Sequence, residues 1–324
     1  MVNLITVPLT SSGIRDIDVT ENDRFAYVVT SGGVDVIELL NTCTVVASGR
    51  LPSPPTAITA NWEISSGQLY IGTTASGVFS MSYHRSRAGD FTDQLVQRFS
   101  TSSAPPLLSN EINDLDTNLE GLLVSSSSGI DFIFNETEHS SRVLVSGSNN
   151  VYLTESGSGY WTTVSGNRGS VEANYDLIST TGTHIIKVDF EFSSDSDPAL
   201  PAELPADIAI SEKPGSFLAL AFATPSGVLI TEEVQFNEAS ARRKTLLAEQ
   251  VTSVSFSNKA SFETGLVYIL VPGLEGLRIF DLGNTTLSGI HPQQANQAIS
   301  QIQATRDQFV ASGTNTIVRT TTLA

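Results

Sequence analysis

One pattern recurs along this chain of 324 residues, and it limits the possible folds more than any single motif does. An alternating apolar run meets a turn of small residues and is followed by a second alternating run. The clearest copies span residues 25–37, 69–81 and 122–133, with a weaker one at 177–186. Three more lie at 217–230, 267–280 and 309–318. Period-two alternation marks a strand, and Gly or Asn at the hinge supplies the positive φ that a tight hairpin needs. With Gly33, Gly77, Gly129, Gly182, Gly227, Gly276 and Asn315 as markers, successive hairpins lie about 39–53 residues apart, which suits units of four short strands.

A leading strand aligns ahead of six of these hairpins, at 14–19, 56–59, 112–116, 206–210, 251–256 and 299–303. The fourth unit lacks a clear one. Segments 151–154 and 160–164 flank Gly157 there and read as a separate hairpin, either an insertion or a truncated extra unit. The last hairpin leaves no room for a fourth strand, while residues 2–9 form an orphan strand ahead of the first unit. Pairing the two ends would remove an exposed sheet edge. The expected fold is therefore all-β: a seven-bladed β-propeller of four-stranded antiparallel blades, closed by the N-terminal strand in the last blade. It would be a single domain over residues 1–324, with one short helix at 293–299.

The first unit runs from Phe25-Ala26-Tyr27-Val28-Val29-Thr30 through Gly33-Val34-Asp35-Val36-Ile37-Glu38-Leu39 to Asn41-Thr42-Cys43-Thr44-Val45-Val46. It resembles the YVTN and LVIVD-type repeats of seven-bladed β-propellers, and Gly276-Leu277-Arg278-Ile279-Phe280-Asp281-Leu282 resembles the same segment. The resemblance covers two units well and the other five loosely. It implies the fold and, since those families are mostly binding or surface proteins, no catalytic residues. No Trp-Asp dipeptide closes a strand, so the WD-repeat marker is missing.

Charge narrows the partners. Against 34 acidic residues stand 17 basic ones, a formal net charge of −17, and the only lysines are Lys187, Lys213, Lys244 and Lys259. Such a surface repels phosphate backbones and anionic lipid, so neither nucleic acid nor membrane insertion is expected. No run approaches the roughly 18 apolar residues of a membrane helix. Cys43 is the single cysteine, which excludes an intrachain disulfide and reads as a small buried hydrophobe. The start, Met1-Val2-Asn3-Leu4-Ile5, has neither a basic n-region nor a long apolar h-region, so no signal peptide is expected.

Few residues carry chemistry. Asp16, Asp114 and Asp207 share one slot of three leading strands, with Ala57, Ser253 and Gln301 in that slot elsewhere. Gathered around a channel mouth, such carboxylates could bind a ligand or hold a cation such as Ca²⁺, or act as an acid–base pair on a glycoside. As turn residues they would satisfy backbone donors instead. His84, Arg85 and Arg87 form a basic loop on an acidic chain, either a partner-binding loop or a solvated hairpin tip, and Arg242-Arg243-Lys244 poses the same choice. His84, His139, His184 and His291 have no paired metal spacing, and neither a phosphate-binding loop nor a G-x-S-x-G elbow occurs. No metal or cofactor is expected.

These readings point to a non-enzymatic structural or protein-interaction module that binds other proteins of a larger assembly. The serine- and threonine-rich, lysine-poor composition resembles exported proteins without their leader, which suits a virus or phage particle component; the other expected location is the cytoplasm. The alternative is a carbohydrate-binding or carbohydrate-active propeller that uses carboxylates at the channel mouth.

Overall fold

Runs such as Phe25–Thr30 and Gly129–Phe134 are apolar at nearly every position, so they can be stable only as strands covered on both faces. The computed structural model bears this out: all of Phe25–Thr30 is buried, as is Gly129–Phe134 up to its last residue. It describes residues 5–134, save for 20–24, 40–43, 63–65, 85–88, 91–94 and 119–120, and beyond 134 it describes the strands named below. Among the described residues every regular element is a strand. The chain forms two compact units, one of residues 9–165 and 169–189, the other of residues 1–8, 166–168 and 190–324.

Four sheets make up the first unit. The first takes Ile14–Val19, Phe25–Thr30, Gly33–Glu38 and Thr44–Gly49 in that order, each antiparallel to the last. The second takes Pro55–Trp62, Ser66–Thr73, Val78–His84 and Val96–Phe99. The third takes Ile112–Thr117, Gly121–Ser126, Gly129–Phe134 and Glu138–Val143. The fourth takes Ser148–Leu153, Gly159–Ser165, Arg168–Asn174 and Ile185–Glu191. The leading strand of each sheet lies against the leading strand of the next. Apolar side chains fill the space between neighbours: Tyr27, Val36, Leu69 and Ile71 between the first and second sheets, Phe99, Ile112 and Val124 between the second and third, and Phe132 and Val151 between the third and fourth.

The other unit repeats the plan in three sheets. Asp207–Lys213, Phe217–Thr224, Gly227–Val234 and Arg242–Leu247 form one, and Ser253–Phe256, Leu266–Leu270, Leu277–Asp281 and Thr286–His291 the next. The remaining sheet takes Gln301–Ala304, Phe309–Ser312 and Thr316–Arg319, and its fourth strand is Ile5–Pro8. Ile5 stands opposite Arg319 and Val7 opposite Ile317, antiparallel. Val7 is buried.

Two expectations need correction. The segments 151–154 and 160–164 are neither an insertion nor an extra unit: they supply the first two strands of the fourth sheet, and Ile185–Glu191 is its last strand. Polar residues at 148–150 and 154–159 hide the leading strand in the sequence, although Val151 and Leu153 in it are buried. Nor do Gly33 and Gly129 sit in the turn. Thr30 pairs with Gly33 and Ser126 with Gly129, so two-residue turns precede each glycine, which opens the third strand. Glycine is needed at 33 because φ is +150° and an added Cβ would collide with the Gly49 carbonyl oxygen of the fourth strand. Gly33→Ala should therefore cost about 2–4 kcal/mol, measured by urea unfolding, even though the site is a strand residue. Gly182, Gly276, Asn315, Cys43 and the helix expected at 293–299 lie outside the described residues.

Candidate functional site

The leading strands Ile14–Val19 and Ile112–Thr117 share a local design. Each begins with a bulge, between Ile14 and Asp16 in one and between Ile112 and Asp114 in the other. A bulge turns the strand and re-aims the side chain that follows. Here that side chain is an aspartate, and a second aspartate stands two residues on, on the same face. Asp16 Oδ1 accepts from its neighbour Ile17 N–H at 2.8 Å, while Oδ2 accepts from Ile58 N–H of the next sheet at 2.8 Å. Asp18 repeats this with Val19 at 2.7 Å and Ala60 at 2.8 Å. In the third sheet Asp114 takes Leu115 N–H at 2.9 Å and Val151 N–H at 2.8 Å, and Asp116 takes Thr117 N–H at 2.9 Å and Leu153 N–H at 2.6 Å. Each carboxylate thus joins its own strand to the leading strand of the following sheet, and the N–H groups that it satisfies lie on an otherwise unpaired strand edge.

These carboxylates are held in an unfavourable electrostatic setting. Burial is the first cause of the shift at Asp18, Asp114 and Asp116. It raises Asp18 to about 6 against the hydrogen bonds from Ala60, Val19 and Thr59, which pull the other way. Burial, and the Asp18 charge beside it, raise Asp116 to about 7. Asp114 is pushed well above the ordinary carboxylate range, first by burial and then by the Asp16 charge. All four residues retain intermediate exposure, so surrounding protein crowds them while solvent still screens part of the effect.

Asp207 occupies the equivalent backbone position. Asp16 pairs with Val29, Asp114 with Ser125 and Asp207 with Ala223, and each of those partners stands opposite the residue that follows the strand-opening glycine. The Asp207 side chain lies outside the described residues. His84 ends the strand Val78–His84, and Arg85 and Arg87 lie outside the described residues. The segment that follows them, Gly89–Asp90, does not form a hairpin with its own sheet. It pairs in parallel with Ala47 and Ser48 and adds a fifth strand to the first sheet. Arg242-Arg243-Lys244 belongs to the strand Arg242–Leu247, with Arg242 opposite Glu232.

Two buried acids escaped sequence reasoning. Asp35 and Asp131 hold the same place in the third strands of the first and third sheets, each two residues after the strand-opening glycine. Asp35 accepts from Thr10 N–H at 2.8 Å and Thr10 Oγ1–H at 2.6 Å, and Asp131 accepts from Leu108 N–H at 2.9 Å. Both fix the chain that enters the sheet. Their signal was legible: an aspartate two residues after the glycine, flanked on both sides by apolar strand residues. Asp18 and Asp116 had a signal too, the Asp-x-Asp spacing. Among the described residues no group of three or more His, Cys, Asp or Glu side chains is placed to hold a metal ion.

Solved structures share this arrangement of sheets over nearly the whole chain. Hydrazine synthase of Kuenenia stuttgartiensis superposes with a TM-score of 0.69 at 13% identity, covering 96% of each chain. The fold is a β-propeller. Virginiamycin B lyase from Staphylococcus aureus, in a structure with quinupristin, superposes at 0.64 with 11% identity over 100% of both chains. The WD40 propeller domain of Doa1 does so at 0.64 with 11% identity, over 98% of this chain and 95% of that one. Enzymes and a WD40 domain thus share one propeller scaffold, so the likeness fixes architecture and leaves chemistry to the residues. No protein-family model matches the chain, and no curated protein matches it in sequence.

Proposed function

We propose that this propeller is a non-enzymatic structural and protein-interaction module of seven four-stranded blades, shut by the strand Ile5–Pro8 in the last of them. The observation that carries the reading is the use made of the carboxylates. Asp16 and Asp114, the first choices for acid–base or ligand chemistry, spend both oxygens on backbone N–H groups of two strands. An acid–base catalyst on a sugar would need an oxygen free to meet the glycosidic atom. These aspartates therefore support architecture, and in this reading binding falls to the outer surface of the propeller.

The partners in this reading are other proteins of a larger assembly, and a virus or phage particle is the assembly proposed. Support comes from the acidic, lysine-poor composition, with a net charge of −17, which favours solubility and disfavours nucleic acid. The test is fractionation of the source material. The protein should sediment with purified particles or with a defined complex of other proteins. A protein found only free in the lysate, as a monomer, would overturn the assembly reading. Sugar binding on a glycan array that disappears in Asp16→Asn and Asp114→Asn would replace it with a carbohydrate-directed function.

A further inference from the structure

The first three sheets share one stitched end. The chain enters each leading strand there and turns there between the second and third strands, at 31–32, 74–77 and 127–128. Ser31 donates its N–H to the Gly13 carbonyl at 3.0 Å and its hydroxyl to the Ser12 carbonyl at 2.8 Å. Thr74 N–H donates to the Pro54 carbonyl at 3.0 Å, and Ser127 N–H to the Glu111 carbonyl at 3.1 Å. Gly77 N–H donates to the Asn110 carbonyl at 3.0 Å, which fastens the second sheet's turn to the chain entering the third. The longest entering segment, 100–111, is closed on itself: Leu107 N–H donates to the Ser100 carbonyl at 2.8 Å and Thr101 N–H to Asn110 Oδ1 at 2.8 Å. Ser100 and Leu107 are buried, while Thr101, Ser102, Ala104 and Pro106 are exposed.

Charge is shared unevenly between the two ends. In 9–13, 31–32, 50–54, 74–77, 100–111 and 127–128 the charged residues are Arg50 and Glu111, of opposite sign. The segments that join strands at the other end, 20–24, 39–43, 63–65, 118–120 and 135–137, hold Glu21, Asp23, Glu63, Glu120 and Glu136 against Arg24, and 85–95 is balanced. Among the described residues the exposed charged ones are Arg15, Arg50, Arg98 and Glu111. Arg15 follows Ile14, which stands opposite Thr30 beside the 31–32 turn. Arg98 follows Gln97, whose side-chain amide donates to the Ser76 carbonyl at 2.6 Å. A chain of net charge −17 thus gathers exposed arginines at an end that holds a single exposed acid.

We propose that this end of the first three sheets is a docking face for a protein with an acidic surface. The inference rests on the protein-interaction reading above and adds to it the face used and the partner's charge. An acidic partner is repelled by most of a chain with this charge and can settle only where fixed negative charge is scarce. Arg15, Arg50 and Arg98 give this end the opposite sign. The stitched turns are already ordered, so docking on them costs little conformational freedom. The exposed hydroxyls of Thr101, Ser102 and Ser127 offer hydrogen bonds without a charge to desolvate.

The test compares hydrogen exchange of the full chain alone with that of the chain in the complex isolated from its source. Exchange in peptides that cover 31–32, 74–77, 101–106 and 127–128 should slow about 10-fold in the complex, while peptides around Thr44, at the other end, stay unchanged. The double variant Ala75→Glu, Ser128→Glu alters two exposed positions of this end and should bind the complex about 10-fold more weakly, whereas Thr44→Glu should bind as the parent does. Arg50→Glu should also weaken binding; toward a basic partner it would strengthen it, and that result would overturn the charge assigned here. A complex whose footprint lies elsewhere, with the double variant binding normally, would overturn the docking face and leave the interaction reading intact. Absence of any complex would overturn both. If the double variant fails to fold, the footprint on the unaltered chain still decides.

Discussion

A chain that lacks residues 1–8 should melt about 6 °C below the intact protein. Ile5–Pro8 runs antiparallel to Thr316–Arg319 across four residue pairs and buries Val7. Its loss removes several ladder hydrogen bonds worth about 1 kcal/mol each and the burial of a valine worth about 1.5–3 kcal/mol. It also bares the edge of Thr316–Arg319, which has Phe309–Ser312 on its other side and no second partner. With an unfolding entropy of about 2.1 cal/mol/K per residue, a chain of 324 residues shifts by roughly 1.5 °C per kcal/mol, and a total of about 3–5 kcal/mol gives the expected difference. Thr10 must be kept in the truncated chain, because its hydrogen bonds to Asp35 belong to a different sheet. A peptide of residues 1–9 added in trans should recover part of the loss. Identical melting of the two chains would show that the terminal pairing contributes nothing, and the proposed closure would fall with it.

Asp35→Ala should cost about 2–4 kcal/mol, the largest effect expected of a single polar substitution in the first sheet. Asp35 is buried between Val34 and Val36, and it accepts two hydrogen bonds from one residue, Thr10. Removing the carboxylate frees the entering chain from the sheet. Asp35→Asn keeps one acceptor and should lose about half as much, while Thr10→Val removes the hydroxyl bond alone. Because the two side chains act as one unit, the double variant Asp35→Ala, Thr10→Val should lose little more than Asp35→Ala, a coupling readable in a double-mutant cycle by urea unfolding. Simple additivity would show that the pair does not hold the segment. Asp131→Ala should likewise release the entering chain at Leu108, whose N–H it accepts.

These predictions divide the acids of this chain in a way that composition does not. A net charge of −17 invites the reading that acids coat the surface, yet six aspartates of the first and third sheets serve the backbone instead. The first and third sheets share an Asp-x-Asp leading strand and a buried third-strand aspartate. The second sheet has Ala57 and Thr59 at the corresponding leading positions and contributes N–H donors. Acceptor and donor sheets therefore alternate along this part of the chain, and a carboxylate performs between sheets the task that a carbonyl performs within one.

Strand existence was legible from residue order because burial on both faces demands unbroken apolar runs, as in Phe25–Thr30 and Gly129–Phe134, and because turns require small residues at fixed places. The shared slot of Asp16, Asp114 and Asp207 was legible for the same reason: ladder register follows strand alternation, which is a local property. Three matters were decided by tertiary structure. The fourth sheet begins at Ser148, where the polar residues around Val151 and Leu153 leave too weak a signal, and the neighbouring leading strand supplies the carboxylates that hold it. Gly33 is glycine because pairing with the next strand brings the Gly49 carbonyl oxygen onto the place a Cβ would take. The role of each aspartate depends on which N–H groups a neighbouring sheet presents, and local sequence carries no record of that encounter.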